Sequence, residues 1–450
     1  MTQLTSVESN DKKLVSGITG ISVCGYKSLY EECSIEIRPL TILAGANSSG
    51  KSSIMQPLLL MKQTLEASYD PGALLIYGSH IQFTLAAQFL SQLPVKKKSD
   101  SLTVSVEIDN DLSFTSTFNK HSSKGVEIIE TTYSLWNNPS NKLKANFGTR
   151  MSHEDFMMNL PEYIKKFNES FLQIDRDGEK PKYKAKRERC FLELELAVGQ
   201  ESIGWGTNYS SSFQSYIRKL IHIPGLRGNP ERTYKTTAIG REFPGTFDNY
   251  VASVLSYWNE TKDERLQEIG RALETLGLTS KVDAKQINDV HIELRVGRSL
   301  TSGEATEMVS IADVGLGVSQ VLPVLVALLV AEPGQLVYLE QPEVHLHPRA
   351  QAAMAEILAD AAKRGVRVVL ETHSELLLLA VQSLVAEGKL SPDLVKLHWF
   401  TRREDGVTEV NSAELDDAGA FGDWSEDFSD VSLKLESRYL NAAEAHLWQR

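Results

Sequence analysis

The run Gly45-Ala46-Asn47-Ser48-Ser49-Gly50-Lys51-Ser52 has the residue types and spacing to hold a chain of phosphates. It fits the pattern Gly-x4-Gly-Lys-Ser in full and lies between an apolar segment that reads as a strand and one that reads as a helix. Glycines let the backbone wrap closely, so that successive N–H groups point at phosphate oxygens. A helix beginning near Lys51 adds its positive dipole end. Lys51 would then reach the β- and γ-phosphates of ATP, and the Ser52 hydroxyl would ligate Mg2+. Gly45, Asn47, Ser48, Gly50, Lys51, Ser52 and Ser53 are the expected nucleotide contacts.

Two further segments carry chemistry. Leu336-Val337-Tyr338-Leu339 runs into Glu340-Gln341-Pro342-Glu343. A carboxylate at the tip of a buried parallel strand lies at the sheet edge where ligands bind, so Glu340 is expected to hold Mg2+ directly or through a water. The next apolar run ends in Glu371-Thr372-His373-Ser374, which places His373 where it can reach a γ-phosphate or an attacking water. His345 and His347 form an i, i+2 pair with no third and fourth ligand nearby, and packing in a tight loop is the better reading.

These groups need a scaffold, and the hydrophobic pattern supplies one. Strands are expected at 18–28, 33–37 and 40–44, and an apolar-rich helix at 52–67. Strands follow at 76–83, 102–108 and 112–118. Residues 120–220 are the least legible, with an expected helix at 154–171 and a charged link at 175–189. That link could line a nucleic-acid groove, but a solvated linker or helix face is the preferred reading. Beyond it come a strand at 221–223, helices at 247–258 and 262–276, and strands at 290–296 and 308–311. From Gly317 onward helix and strand alternate (318–331, 336–339, 348–364, 366–370, 375–387), which implies parallel strands with crossover helices. No internal repeat or sustained heptad pattern is present.

At 450 residues, with 42% hydrophobic and 24% charged residues, the chain has the composition of an ordinary globular protein. No segment approaches the roughly 18 uninterrupted apolar residues of a membrane span, and the first residues lack the apolar core of a signal peptide. Three cysteines (Cys24, Cys33, Cys190) without metal-type spacing suit a reducing cytoplasm. The net charge of −12 argues against a whole-surface nucleic-acid binder, while leaving a local basic groove open.

Taken in order, these motifs resemble ABC-type ATPases of the SMC/RecF/OLD class. More narrowly, they resemble compact bacterial AAA-family ATPases (AAA_15/AAA_21-like) with a DUF3696-like C-terminus, of the kind found in anti-phage defence operons. The resemblance is carried by Gly25-Tyr26-Lys27-Ser28, the phosphate loop, Pro224-Gly225-Leu226-Arg227 and Asp313-Val314-Gly315-Leu316-Gly317-Val318-Ser319-Gln320. It continues through the segments containing Glu340 and His373 to Phe421-Gly422-Asp423-Trp424. Residues 95–220 contribute almost nothing to it.

The resemblance implies an α/β fold: an ABC-type P-loop ATPase with a mostly parallel sheet, an antiparallel β subdomain and a mixed middle insertion. The implied divisions are a flexible leader (1–15), an N-terminal half of the ATPase domain (16–120), a middle region (121–300), a C-terminal half (301–400) and an extension (401–450). Segment 313–320 would be the signature loop, which in such ATPases crosses a dimer interface; Gly315 and Gly317 would open a helix whose N–H groups, with Ser319, face the γ-phosphate on a second subunit. Tyr26 and Lys27 would lie near the nucleotide, and either Gln82 or Gln88 would sense Mg2+. One departure matters: where the class usually has Asp-Glu, with the Glu as general base, this chain has Glu340-Gln341. A glutamine amide cannot accept a proton at neutral pH, although it can orient water. Either Glu343 serves as base, or hydrolysis is slow and ATP acts mainly as a clamp.

Three functions fit this pattern. The first is an ATP-gated homodimer or higher oligomer, cytoplasmic and without a membrane partner, whose closure changes a surface for DNA or for an operon-encoded effector such as a nuclease or toxin. The second is a nuclease carrying its own ATPase, as in OLD proteins. Only 77 residues follow His373, however, and the acidic cluster Glu414, Asp416, Asp417, Asp423, Glu426, Asp427 and Asp430 has no recognisable catalytic spacing. The third, the motor subunit of an ABC transporter, suits the signature loop and the large middle region less well.

Overall fold

The short apolar runs read as buried strands assemble into one sheet, and their tips define a single edge. In the computed structural model, which describes residues 15–94, 96, 98–121, 125–138, 141–162, 165–166, 179–198, 201–204, 209–298, 307–422 and 437–438, this central sheet has six strands. They are β3 (Leu40–Gly45), β11 (Ile221–Ile223), β16 (Leu336–Glu340), β17 (Arg367–Glu371), β18 (Val395–Arg402) and β19 (Thr408–Ala413), in the order β11-β16-β17-β3-β18-β19. All pairs are parallel except β18 with β19.

Alternate residues of these strands enter two different cores, as the twofold period of a strand requires. Leu40, Ile42, Ala44, Val337, Leu339, Val368 and Leu370 face one core, which also takes the buried faces of α4 (Val251–Thr261), α5 (Arg265–Thr275), α6 (Leu316–Val330), α7 (Pro348–Lys363) and α8 (Glu375–Ala386). Leu43, Leu336, Tyr338 and Val369 face the other, with α1 (Lys51–Glu66). Covering both faces explains why the strands read as continuous apolar runs. The α6 residues Val321, Leu322, Val324 and Leu325 are almost wholly buried, each contributing about 1.5–3 kcal/mol.

The second core is closed by an antiparallel sheet of β1 (Ile18–Cys24), β2 (Cys33–Glu36), β4 (Ser101–Ile108), β5 (Leu112–His121), β6 (Gly125–Asn138) and β7 (Asn141–Gly148), in the order β2-β1-β4-β5-β6-β7. Against it lie α2 (His153–Asn159), α3 (Ser211–Lys219) and a three-stranded sheet of β8 (Lys182–Glu188), β9 (Phe191–Val198) and β10 (Glu201–Gly204). A smaller sheet contains β12 (Tyr234–Lys235), β13 (Val282–Asn288), β14 (His291–Gly297) and β15 (Met308–Ser310).

Three expectations differ from what is found. The charged link at 175–189 is a strand over Lys182–Glu188: Tyr183 turns inward while Lys184 and Lys186 stand outward, opposite Glu195 and Glu193 of β9. The expected strand at 76–83 is instead a tight reversal, with an isolated bridge between Tyr77 and Gln82 and with Phe83 N donating to Ile76 O and Gly78 N to Ile81 O, held in place by the buried side chain of Gln63. The Gln63 Oε1 accepts from His80 N and Ile81 N, and Nε2 donates to Leu75 O and Ile81 O. The helix expected at 154–171 is interrupted: it runs over His153–Asn159, where Ser152 Oγ accepts from Asp155 N as its cap, breaks at Leu160 and Pro161, and is helical again at Glu162, Lys165 and Lys166; residues 163–164 and 167–171 lie outside the described residues.

Candidate functional site

The phosphate loop leaves β3 at Gly45 and enters α1 at Lys51. Its conformation depends on glycine at both ends. Gly45 has φ 139° and Gly50 φ 109°, and a Cβ on Gly45 would lie 2.3 Å from Phe400 O. Lys51 Nζ folds back to donate to Gly45 O at 2.9 Å and Ala46 O at 2.8 Å. Burial lowers the Lys51 pKa, with Glu371 pulling the other way. The loop faces a cavity of about 620 Å3 lined by Asn47, Ser48, Gly50, Lys51, Ser52 and Ser53, together with Lys27, Gln341 and His373. Nine of the expected site residues thus meet in one place, at the carboxyl ends of parallel strands.

The carboxylate beside Ser52 is Glu371. Ser52 Oγ donates to Glu371 Oε2 at 2.8 Å, and Tyr338 OH donates to Oε1. Glu340, the expected metal ligand, is held away from this cavity: its Oε1 meets His222 Nε2 at 3.1 Å and its Oε2 accepts Gly225 N–H at 3.0 Å. Strand order is the reason. β17 lies between β3 and β16, so its tip, not that of β16, is next to the loop. Glu340 and Glu371 are register partners across β16 and β17. Burial, then the charge of Glu340, push Glu371 up to about 7. Burial works to raise Glu340 as well, but its hydrogen bonds to His222 and Gly225 outweigh it, and its pKa falls below the usual range.

His373 lines the cavity, and burial with the nearby Lys51 charge lowers its pKa against a hydrogen bond to the Gly45 backbone. Glu343 does not face the cavity. Its Oε1 accepts from Thr372 Oγ1 at 2.7 Å and from His373 N at 3.1 Å, so it holds the turn that presents His373. Gln341, at φ 44°, stands on the cavity wall with its N–H bonded to Glu371 O.

Tyr26 and Lys27 separate. Tyr26 is fully buried, while Lys27 reaches the cavity and donates to Gln56 Oε1 at 2.7 Å. Of the two candidate glutamines, Gln88 lines the cavity and Gln82 does not. Gly315, Gly317 and Ser319 lie outside it: Gly315 caps the exposed start of α6 with no side-chain cap, and Ser319 lines a separate cavity of about 490 Å3 with Arg227. Arg227 fastens that helix to the β16 tip, donating to Gln320 O at 2.6 Å, Glu340 O at 2.9 Å and Gln341 O at 3.1 Å.

Sequence reasoning missed Glu371, Gln56 and Arg402 as cavity residues. Glu371 carried a signal, an acid at a strand tip directly before Thr372-His373, but strand order was needed to use it. In the C-terminal acidic cluster, Glu414 pairs with Arg38 and Lys396, and Asp416 accepts from Ala418 N and Ala420 N; Asp423, Glu426, Asp427 and Asp430 lie outside the described residues. Among the described residues no group of three or more His, Cys, Asp or Glu forms a metal cluster, and no helix is long and apolar enough to cross a membrane. A hydroxyl and an adjacent carboxylate opening on a polar cavity nevertheless suit Mg2+, which keeps several waters and takes few protein ligands.

A strand–glycine loop–helix with Lys51 and Ser52, set in a parallel sheet with an acid and a histidine on the neighbouring strand tip, has the arrangement of a P-loop ATPase. A family model described as "AAA ATPase domain" matches residues 17–378, and the chain belongs to that family. It is an ATP-binding ATPase. No curated protein matches the chain in sequence. Among solved structures it is similar to an SmcHead bound to the C-winged helix domain of ScpA (10% identity, 89% of this chain and 99% of that one, TM-score 0.46). It is also similar to the SMC head domain from Thermotoga maritima (9% identity, 88% and 98%, TM-score 0.38). A third is an Smc head domain from Pyrococcus furiosus with an extended coiled coil, bound to the C-terminal domain of ScpA (10% identity, 89% and 97%, TM-score 0.40).

Proposed function

We infer that the protein is an ATP- and Mg2+-dependent switch that closes as a homodimer, each nucleotide lying between the phosphate loop of one copy and segment 315–319 of another. The observation that carries this reading is the separation of the two elements. The phosphate-binding groups line one cavity, whereas Gly315 and Leu316 are exposed at an uncapped helix start elsewhere on the same chain. Helix N–H groups without a side-chain cap suit an anion supplied from outside.

Within one copy, Lys51 would exchange its carbonyl partners for phosphate oxygens, and Ser52 with Glu371 would hold the Mg2+, which neutralises charge on the β- and γ-phosphates. His373 would contact the γ-phosphate side of the cavity, in a position kept by Glu343. Gln341 can orient water but cannot take its proton, so turnover is slow and the closed dimer long-lived. Closure would control a surface for an effector protein or for DNA, in bacterial anti-phage defence or DNA maintenance and in the cytoplasm, as the family resemblance suggests.

Size-exclusion chromatography with light scattering tests this reading. A monomer that becomes a dimer with ATP and Mg2+, and fails to do so as Lys51→Ala or Ser319→Arg, supports it; a mass unchanged by ATP overturns it. The effector arm is tested by copurification with the products of adjacent genes.

A further inference from the structure

Behind the strand tips runs a line of buried ionisable groups that the phosphate cavity does not use. Glu340 Oε1 meets His222 Nε2 at 3.1 Å, His222 Nδ1 meets His80 Nδ1 at 3.0 Å, and His80 Nε2 meets Glu66 Oε2 at 3.4 Å. Lys62 Nζ closes the far end, 2.6 Å from Glu66 Oε1 and 2.7 Å from Arg218 O. The side chains of His80 and Lys62 are fully buried and that of His222 is 2% exposed. Burying such groups costs several kcal/mol per ion unless every one is partnered, and an apolar filling of the same space is often as stable or more so. Packing alone does not account for the line.

Its ends are informative. One is the tip of β16, beside Glu371; the other is the last turn of α1, the helix whose first turn carries Lys51 and Ser52. Glu66 Oε2 also accepts Gly245 N–H at 3.0 Å, which ties in the loop leading to α4. The two imidazoles are linked in tautomer. An Nδ1–Nδ1 contact needs one donor and one acceptor, so when His222 gives its Nε2 hydrogen to Glu340, its Nδ1 accepts and His80 donates, which leaves the Nε2 of a neutral His80 beside Glu66 without a hydrogen bond. His222 also stacks on Tyr338, the residue that donates to Glu371, with ring centroids 5.3 Å apart and planes at 11°.

We propose that His222 and His80 form a positioning relay that fixes Glu340 and, through the stacking of His222 on Tyr338, orients the metal-side carboxylate Glu371, with Glu66 setting the far imidazole against the last turn of α1. Outer partners that orient a ligand in this way are worth about 10–100-fold in metal affinity. The proposal rests on the reading of this cavity as a Mg2+–nucleotide site.

Mn2+ binding to the ADP-loaded protein, followed by electron paramagnetic resonance, tests it alongside steady-state ATP hydrolysis. His222→Phe keeps the stacking on Tyr338 but breaks the line, and is expected to weaken Mn2+ about tenfold and to lower kcat with KM for ATP unchanged. His222→Gln, which retains an N–H for Glu340, should recover most of that loss. His80→Phe, one imidazole further from Glu340, should weaken Mn2+ in the same direction, and adding it to His222→Phe should cost nothing further, because the line is already broken. Variants that lose thermal stability while keeping wild-type Mn2+ affinity, or losses that simply add, overturn the relay. Wild-type protein that takes up no Mn2+ with ADP overturns the nucleotide reading itself.

Discussion

Ser52 Oγ and Glu371 Oε2 meet at 2.8 Å, joining the first turn of the phosphate-loop helix to the tip of the neighbouring strand. Glu371 is 3% exposed, yet it opens on the phosphate cavity. Glu371→Gln keeps the shape and removes the charge. It is expected to lower Mg2+-dependent nucleotide affinity by about tenfold or more while leaving Mg2+-free binding within twofold. Titration of a fluorescent ATP analogue with and without EDTA measures both, and equal affinities with Mg2+ would remove Glu371 from the metal site.

Gln341 faces the cavity and Glu343 does not. Gln341→Glu places a proton acceptor where water is expected to attack, so phosphate release should rise by about 10-fold or more. Glu343→Gln retains one oxygen for Thr372 and His373 and should slow turnover only severalfold. An abolished activity in Glu343→Gln, with unchanged turnover in Gln341→Glu, would make Glu343 the base instead.

Arg227 donates to four carbonyls, those of Pro224, Gln320, Glu340 and Gln341. A lysine cannot reproduce this planar set of donors. Arg227→Lys should destabilise the protein by about 3 kcal/mol, since each carbonyl left unpaired costs about 1 kcal/mol or more. Urea unfolding measures the loss, and a midpoint equal to wild type would show that water satisfies these carbonyls.

His398 gives a pH dependence of stability. It is fully buried, with its ring nitrogens bonded to Ser412 Oγ at 2.8 Å and Glu36 O at 2.8 Å, and burial brings its pKa down to about 4. A depressed folded-state pKa means that the unfolded chain binds the proton more readily. Stability is therefore whole above about 6.5 and lost as pH falls towards 4, by about 3 kcal/mol at most. His398→Gln should be less stable at pH 7.5 yet show a shallower decline between pH 6.5 and 4. Parallel declines would place the acid sensitivity elsewhere.

Much of the site was legible because its chemistry is local. The glycines, Lys51 and Ser52 share one turn, and the apolar runs before Glu340 and Glu371 are long enough to read as buried strands. The region from 120 to 220 was opaque for a physical reason: its strands are half-exposed, with Thr and Ser inward in places such as Thr131 and Ser134, so apolar alternation is weak. The segment at 76–83 misled because its β-type pattern is real, but it turns back on itself around the Gln63 side chain and pairs Tyr77 with Gln82 instead of running on as one strand.

By itself the sequence determined that phosphates are bound, by which loop, and that acids and a histidine stand at strand tips, since these depend on neighbours in the chain and on hydrophobic period. Only the tertiary structure decided which acid meets Ser52. That choice follows from the order of strands in the sheet, and the partners of β17 are residues more than 300 positions away on β3 as well as the nearby β16. Pairing at that distance is set by how the two cores close on the sheet, a property no local pattern contains.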